Sequence, residues 1–149
     1  PYLRPLYDCL SERMGIRNLK KYLHDGTIEI APVAYMRGRT LNNAYVVVDE
    51  AQNCTYGQLK MLLTRLGWKS TMVLTGDPEQ TDLLAGLSGL RDILNRLELL
   101  EDVAVVHLKD QDIVRPPLVA AILTASYGQK RGLGVYSPRP LVVVCFSGQ

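Results

Sequence analysis

The sequence has no apolar run near the ~20 residues that a membrane-spanning helix needs, and no signal-peptide pattern. It holds only three cysteines, Cys9, Cys54 and Cys145, which are too far apart for a zinc site or a disulfide framework. This usage is typical of a reducing compartment and predicts a cytoplasmic protein without membrane contact. The 17 basic and 15 acidic residues nearly cancel, so net charge gives no argument for nucleic acid.

The composition is that of an ordinary globular domain, with 149 residues of which 47% are apolar and 21% charged. The charge is uneven along the chain. Residues 1–43 have seven basic and four acidic side chains, residues 44–102 five and nine, and residues 103–149 five and two. An acidic centre between basic ends is either a solvated surface or a site for a divalent cation with basic groups around it for phosphates.

Apolar spacing predicts two helices in the first 24 residues, each followed by a glycine at or just beyond its end. A short strand is expected over residues 27–31, and residues 35–40 have no periodicity and predict a loop.

The rest of the chain alternates between strand and helix patterns. Three apolar runs predict strands, and the β-branched content of the first favours burial on both faces; the runs are 44–48, 71–75 and 103–108. Helices are expected between them, with Thr55 and Ser88 as the caps of their first turns, and another after Pro116. This alternation predicts an α/β fold with a mostly parallel sheet.

Polar residues follow the first strand directly, at the end where ligands bind in open parallel sheets. Asp49 in that position is suited to hold Mg²⁺, and the adjacent Glu50 to polarise an attacking water. The alternative is a pair of acids at a helix entrance, where the helix dipole favours them.

Two further clusters follow the next two strands. Residues 75–80 end in Gln80, whose amide suits hydrogen bonding to a terminal phosphate or its attacking water; a plain turn is the alternative. Arg115 follows the third strand, where its positive charge is suited to stabilise the negative charge of a transferring phosphoryl group. A surface salt bridge is the alternative. His107 lies inside an apolar run and is expected to be a packed core histidine.

Arg37 and Arg39 flank a glycine in the loop after Tyr35. Two arginines are suited to bind a phosphate backbone, and the adjacent aromatic ring is suited to stack on a base. A solvated loop is the alternative, because two charges make a small electrostatic footprint.

Four blocks, taken in order and spacing, resemble the PhoH-like ATPase family; they are residues 30–42, 48–53, 74–80 and 112–118. The resemblance covers about residues 1–127. It implies a RecA-like three-layer sandwich of the P-loop NTPase class, ATP and Mg²⁺ as cofactors, and ATP hydrolysis. It also implies a role in RNA metabolism, with single-stranded RNA as a partner, a cytoplasmic location and homo-oligomers.

The resemblance assigns roles to residues by position. Asp49 and Glu50 match the Walker B pair, with Asp49 as the metal ligand. Gln52 matches the polar residue that follows them and is expected at the cofactor. Gly76 and Asp77 match the start of a helicase-like third motif, which Gln80 completes. Arg115 takes a phosphate-facing or arginine-finger position, and Arg37 and Arg39 lie at nucleic acid or at a neighbouring nucleotide.

Two features depart from the family. No Gly-x-x-x-x-Gly-Lys-Ser/Thr loop occurs in the sequence, and in the family that loop lies upstream of the point where this chain begins. The sandwich is therefore expected to be incomplete, with this chain as the carboxy-terminal two-thirds of a parent protein to which the ATPase activity belongs. A non-catalytic remnant that binds a partner chain or nucleic acid is the alternative function.

Residues 128–149 do not match the family, and we expect a separate tail after a core of residues 1–127. The apolar run 141–146 is predicted to fill the sheet position of the strand that would precede the missing loop.

Overall fold

The computed structural model describes residues 3–78, 83–84, 86–108, 112, 116, 118–119, 121–122 and 142–147. The chain divides into two compact units, Pro1–Met36 and Arg37–Gln149. In the described ranges, no helix combines the length and the apolar character required to cross a membrane.

The first unit begins with the two predicted helices, α1 (Arg4–Met14) and α2 (Ile16–His24), and ends with a 3₁₀ turn over Val33–Met36. The predicted strand over residues 27–31 is wrong, because this segment bonds back to the end of α2. The Thr27 N–H donates to Asp25 Oδ1 at 3.0 Å, and the Ile28 N–H donates to the Tyr22 carbonyl at 2.9 Å.

In its described residues the second unit has a four-stranded sheet and two bounded helices, and residues 118–119 and 121–122 are also helical, as predicted after Pro116. Its elements are β1 (Tyr45–Val48), α3 (Tyr56–Leu63), β2 (Thr71–Gly76), α4 (Leu90–Leu97), β3 (Val103–His107) and β4 (Val142–Ser147). The strand order is β1-β2-β4-β3, with β1 parallel to β2 and β4 antiparallel to both its neighbours. Strands β1, β2 and β3 therefore run in one direction. The predicted α/β fold with a mostly parallel sheet is confirmed, as an incomplete RecA-like sandwich.

The final apolar run enters the sheet, as predicted. Strand β4 lies between β2 and β3, with Val144 in register with Leu74 on one side and Val105 on the other. Strand β2 is consequently paired on both sides. The predicted boundary after residue 127 stays a prediction.

The core of this unit lies mainly on one face of the sheet, and Val73 of β2 is buried on the opposite face. Its buried residues include Val48, Met72 and Leu74, and α3 and α4 contribute Leu59, Leu62, Leu90, Ile93 and Leu94. Burial of β1 on both faces is a wrong prediction, since the alternate residues Tyr45 and Val47 are 73% and 57% exposed. Strand β1 is the edge strand of the sheet, which accounts for part of this exposure.

The predicted cap of α3 is confirmed and that of α4 is wrong. Thr55 accepts a hydrogen bond from the Gln58 N–H, and the Gln58 side chain accepts one from the Thr55 N–H, which makes a capping box. The N-cap of α4 is Gly89, which has no side chain to cap the helix, and Ser88 lies one residue earlier, where its hydroxyl donates to the Gln52 carbonyl.

His107 is a further correction. It lies in β3 as predicted, but its side chain is more than half exposed, with Nε2 3.2 Å from Glu98 Oε1. It is therefore not a core histidine. Val106 and His107, the last two residues of β3, are both exposed to solvent.

Replacing Val144 with proline should destabilise the second unit. Proline removes a backbone donor from a strand that pairs on both sides and leaves a carbonyl unpaired, at about 1–3 kcal/mol. We expect the thermal midpoint of Val144→Pro to fall by several degrees, while Val144→Ile, which keeps the donor, stays near the parent value. Equal midpoints for the proline variant and the parent protein would place residue 144 outside the sheet.

Candidate functional site

The candidate site forms where β1 and β2 end side by side. Because the strands are parallel and Val48 pairs with Leu74, Asp49 lies beside Thr75. The Thr75 hydroxyl donates to Asp49 Oδ1 at 2.8 Å, and the Glu50 N–H donates to the same oxygen at 3.0 Å. These two bonds orient an exposed carboxylate at the end of the sheet.

Glu50 makes the chain turn immediately after the strand. Its backbone is left-handed, with φ 54° and ψ 40°, and its carbonyl accepts the Asn53 N–H at 2.9 Å to begin the 3₁₀ turn Ala51–Asn53. A non-glycine residue in this conformation costs of order 1 kcal/mol and persists only where its neighbours fix it. The turn leaves Glu50 exposed beside Asp49.

Gln52 connects the two strand ends behind the carboxylates. It is 4% exposed, its Nε2 donates to Glu50 Oε2, and its Oε1 accepts the Asp77 N–H at 3.1 Å. Its carbonyl accepts the Ser88 hydroxyl at 2.8 Å, which attaches the segment leading into α4. Gln52 thus bonds both the carboxylate that follows β1 and the backbone that follows β2.

Gly76 leaves the space that the Gln52 amide occupies. A Cβ at this position would lie 2.6 Å from Gln52 Oε1 and 3.0 Å from Leu90 Cδ2, both closer than ordinary contact. A glycine is therefore required here by the approach of Gln52. Its predicted contact with a cofactor, like those of Gln52 and Asp77, stays a prediction.

The side chains at this edge fit Mg²⁺ bound together with a nucleotide. The described residues contain no group of three or more His, Cys, Asp or Glu side chains that could hold a metal ion. Magnesium bound with a nucleotide takes one or two carboxylates from the protein, and phosphates and water supply the other oxygens. The exposed carboxylates of Asp49 and Glu50 offer this set.

Cys54 lies just after the turn and is buried. Burial raises the pKa of the Cys54 thiol, which therefore stays uncharged near neutral pH. Cys54 is a packing residue of this site rather than a nucleophile.

The structure brings together five of the nine predicted site residues, Asp49, Glu50, Gln52, Gly76 and Asp77. Gln80 and Arg115 lie outside the described residues. Arg37 and Arg39 lie apart from the carboxylates, in the segment that precedes the amino end of β1; the Arg39 carbonyl there accepts a bond from Arg65 Nη1 at 3.3 Å.

Two residues of the site were not predicted from the sequence, Thr75 and Ser88. The sequence did contain a signal for Thr75, because Thr75 is the polar residue at the end of an apolar run similar to the run before Asp49. The sequence contained no signal for Ser88, since its bond to the Gln52 carbonyl joins residues that are 36 positions apart.

Gly76→Ala should destabilise the protein, whereas Gly57→Ala should not. The added methyl at residue 76 meets Gln52 and Leu90, and such overpacking costs about 1–3 kcal/mol. At residue 57, in α3, a methyl meets nothing within 4 Å and gains about 0.5–1 kcal/mol of helix propensity. Urea unfolding measures both free energies. Equal values for Gly76→Ala and the parent would contradict the packing of Gln52 against this glycine.

Comparison with known proteins identifies relatives. A family model described as PhoH-like protein matches residues 1–127. The PhoH-like protein of Bacillus subtilis is 51% identical over 126 residues, which are 84% of this chain and 40% of that protein. Protein PhoH of Escherichia coli K12 is 48% identical over 128 residues, 84% of this chain and 36% of that protein.

A third relative matches a longer part of the chain, which includes part of the segment after residue 127 that the sequence alone left unmatched. The PhoH-like protein of Synechocystis is 49% identical over 141 residues, 94% of this chain and 43% of that protein. The chain thus spans between 36% and 43% of the length of these relatives, rather than the expected two-thirds. Since the family model covers most of its residues, the chain belongs to the PhoH-like protein family.

Proposed function

We propose that this chain is part of an ATPase that hydrolyses Mg²⁺-bound ATP at the carboxyl ends of β1 and β2 and couples hydrolysis to RNA binding or remodelling. The observation that carries the proposal is the bonded arrangement of the two strand ends. Thr75 orients Asp49, and Gln52 joins Glu50 to the backbone of Asp77. An exposed carboxylate pair held by neutral side chains suits a cationic, phosphate-bearing ligand.

The roles are those that the resemblance to the Walker B pair assigns, and the hydrogen bonds of each carboxylate support them. Asp49 Oδ1 accepts from Thr75 and from the Glu50 N–H, so its carboxylate has a fixed orientation in which it would hold a metal. Mg²⁺ supplies positive charge at the phosphate oxygens when it is bound. Glu50 accepts the Gln52 amide at Oε2, which fixes its carboxylate to orient and polarise an attacking water. Catalysis then rests on positioning and electrostatics.

Two further roles rest on residues outside the described part of the chain. We assign Gln80 to sensing the terminal phosphate and Arg115 to stabilising charge on the transferring phosphoryl group. Their support is sequence position: Gln80 follows β2 by four residues, and Arg115 follows β3 by eight. Both thereby follow strands that run in the same direction as β1, and such strands end at one edge of a sheet.

The RNA partner is assigned to the opposite end of the sheet. Arg37 and Arg39 precede β1, whereas Asp49 and Glu50 follow it. This separation supports simultaneous binding of RNA and Mg²⁺-bound ATP, since the two ligands then occupy opposite ends of the sheet and the RNA phosphates stay clear of the carboxylates.

Glu50→Gln, made in the full-length protein that contains this chain, should abolish ATP turnover while ATP still binds. Loss of the general base lowers turnover by about 100-fold or more. The glutamine keeps an oxygen for the Gln52 amide, so the fold of the site is retained. Steady-state phosphate release and equilibrium ATP binding measure the two effects.

The matched control is Glu101→Gln, an exposed acid after α4, which should leave both quantities unchanged. Unchanged turnover in Glu50→Gln would remove Glu50 from the role of base. A full-length protein that binds RNA but neither binds nor hydrolyses ATP would support a non-catalytic binding module instead.

The double variant Arg37→Ala/Arg39→Ala should weaken RNA binding. Removal of one cation from a phosphate of a single strand lowers the slope of log affinity against log salt by about 0.7, so the pair should lower it by about 1.4. Filter binding across a salt series measures this slope. Lys20→Ala/Lys21→Ala removes the same charge from α2 and should leave the slope unchanged; an equal decrease in both double variants would refute a local contact.

A further inference from the structure

The amino end of the sheet extends into a ladder of backbone bonds beyond β1 and β2. The Leu41 N–H donates to the Arg65 carbonyl at 2.8 Å, the Gly67 N–H to the Leu41 carbonyl at 2.9 Å, and the Asn43 N–H to the Trp68 carbonyl at 2.9 Å. The Trp68 N–H donates in turn to Asn42 Oδ1 at 2.9 Å. The backbone of Trp68 is therefore held at both its donor and its acceptor.

Two large aromatic side chains at this end are exposed. Trp68 is 75% exposed, although its backbone is fixed. Tyr45, which begins β1 and pairs with Thr71, is 73% exposed. A tryptophan or tyrosine ring on a fixed backbone offers a flat apolar face for stacking at a small cost in conformational entropy.

Two basic residues, Arg65 and Lys69, flank Trp68 in the sequence of the ladder. Arg65 donates from Nη1 to the Arg39 carbonyl at 3.3 Å and from Nη2 to Thr64 Oγ1 at 3.2 Å, and its buried Nε has no hydrogen-bond partner among the described residues. Lys69, next to Trp68, is exposed and has a left-handed backbone with φ 54°.

Within residues 37–76 the charges are separated along β1, whereas the acids Glu101 and Asp102 precede β3, which is two strands away from β2. Between residues 37 and 76 the sequence has five basic and two acidic side chains, and the two acids are Asp49 and Glu50. Both follow β1 at its carboxyl end, about 13 Å from Tyr45 at 3.3 Å per strand residue. No acidic side chain of this stretch therefore compensates the cations at the amino end.

We propose that the aromatic-basic edge, defined as Tyr45, Arg65, Trp68 and Lys69, binds a single-stranded polynucleotide. Trp68 stacks on a base, and Lys69 and Arg65 lie against the adjacent phosphates. This inference deepens the proposed function, because it names the surface and the contact that hold its nucleic-acid partner. An acidic protein segment fits less well, since carboxylates satisfy the cations but leave the aromatic faces exposed.

The sequence offers an intrinsic probe, because Trp68 is the only tryptophan in the chain. We expect dodecauridylate to quench tryptophan fluorescence with saturation, in the absence of ATP and Mg²⁺. Trp68→Ala should weaken binding of fluorescently labelled dodecauridylate, measured by anisotropy, about 5- to 150-fold, which is the range for removal of one base–aromatic stack. Trp68→Phe should recover most of the affinity, because it restores a stacking face.

A charge variant tests the phosphate contact. Lys69→Asn removes the charge and keeps a residue that tolerates the left-handed backbone, so it should lower the salt slope by about 0.7. Lys60→Gln removes an exposed charge from α3 and should change neither the slope nor the affinity. Dodecathymidylate shows whether the ribose hydroxyl contributes, and polyglutamate shows whether any polyanion suffices.

Three results would overturn the proposal: no binding of either oligonucleotide, saturable binding without a change in Trp68 fluorescence, or equal affinity for Trp68→Ala and the parent. Quenching by polyglutamate at the same affinity would assign the edge to an acidic protein instead. These binding results do not depend on ATP hydrolysis, because every titration omits ATP. A negative result for Glu50→Gln would leave the aromatic-basic edge as proposed, and a negative binding result would leave the role of Glu50 as proposed.

Discussion

The Gln52 amide is the contact on which the arrangement of the site depends. It is buried, and it uses its donor for Glu50 and its acceptor for the Asp77 N–H. A buried N–H left without a partner costs about 1–3 kcal/mol, so an apolar side chain at residue 52 would be expensive even if it packed well. The amide also determines its neighbour, because only a glycine at residue 76 leaves room for Oε1.

The same contact explains how an exposed carboxylate keeps one orientation. Glu50 has a left-handed conformation after an edge strand, where solvent would otherwise allow its side chain many rotamers. Bonding from Gln52 restricts the carboxylate, and the Ser88 hydroxyl restricts the backbone of Gln52. Two hydrogen bonds, from Ser88 to Gln52 and from Gln52 to Glu50, thus connect the segment before α4 to the carboxylate.

Local chemistry explains which parts of the fold could be predicted from the sequence. The strands were evident from β-branched runs, and the start of α3 from Thr55 followed by Gln58 three residues later. Burial of β1 could not be predicted, because it depends on which elements cover each face. The error in the predicted cap at Ser88 has the same origin, since its hydroxyl donates to a carbonyl in a distant turn.

The site was predictable to a similar degree. Asp49 and Glu50 directly follow an apolar strand, which is a local signal in the sequence. The bond between Gln52 and Asp77, by contrast, depends on the pairing of β1 with β2.

Strand β2 limits how the two ends of the sheet influence each other. It pairs with β1 on one side and β4 on the other, and its residues Met72 and Leu74 are fully buried. A one-residue slip would move these side chains to the opposite face, so β2 cannot carry a signal by sliding. Coupling between the carboxylates and the aromatic-basic edge would need an element with two arrangements, and β2 has one. The backbones of Glu50 and Trp68 are held by hydrogen bonds at the two ends of the sheet and are equally fixed.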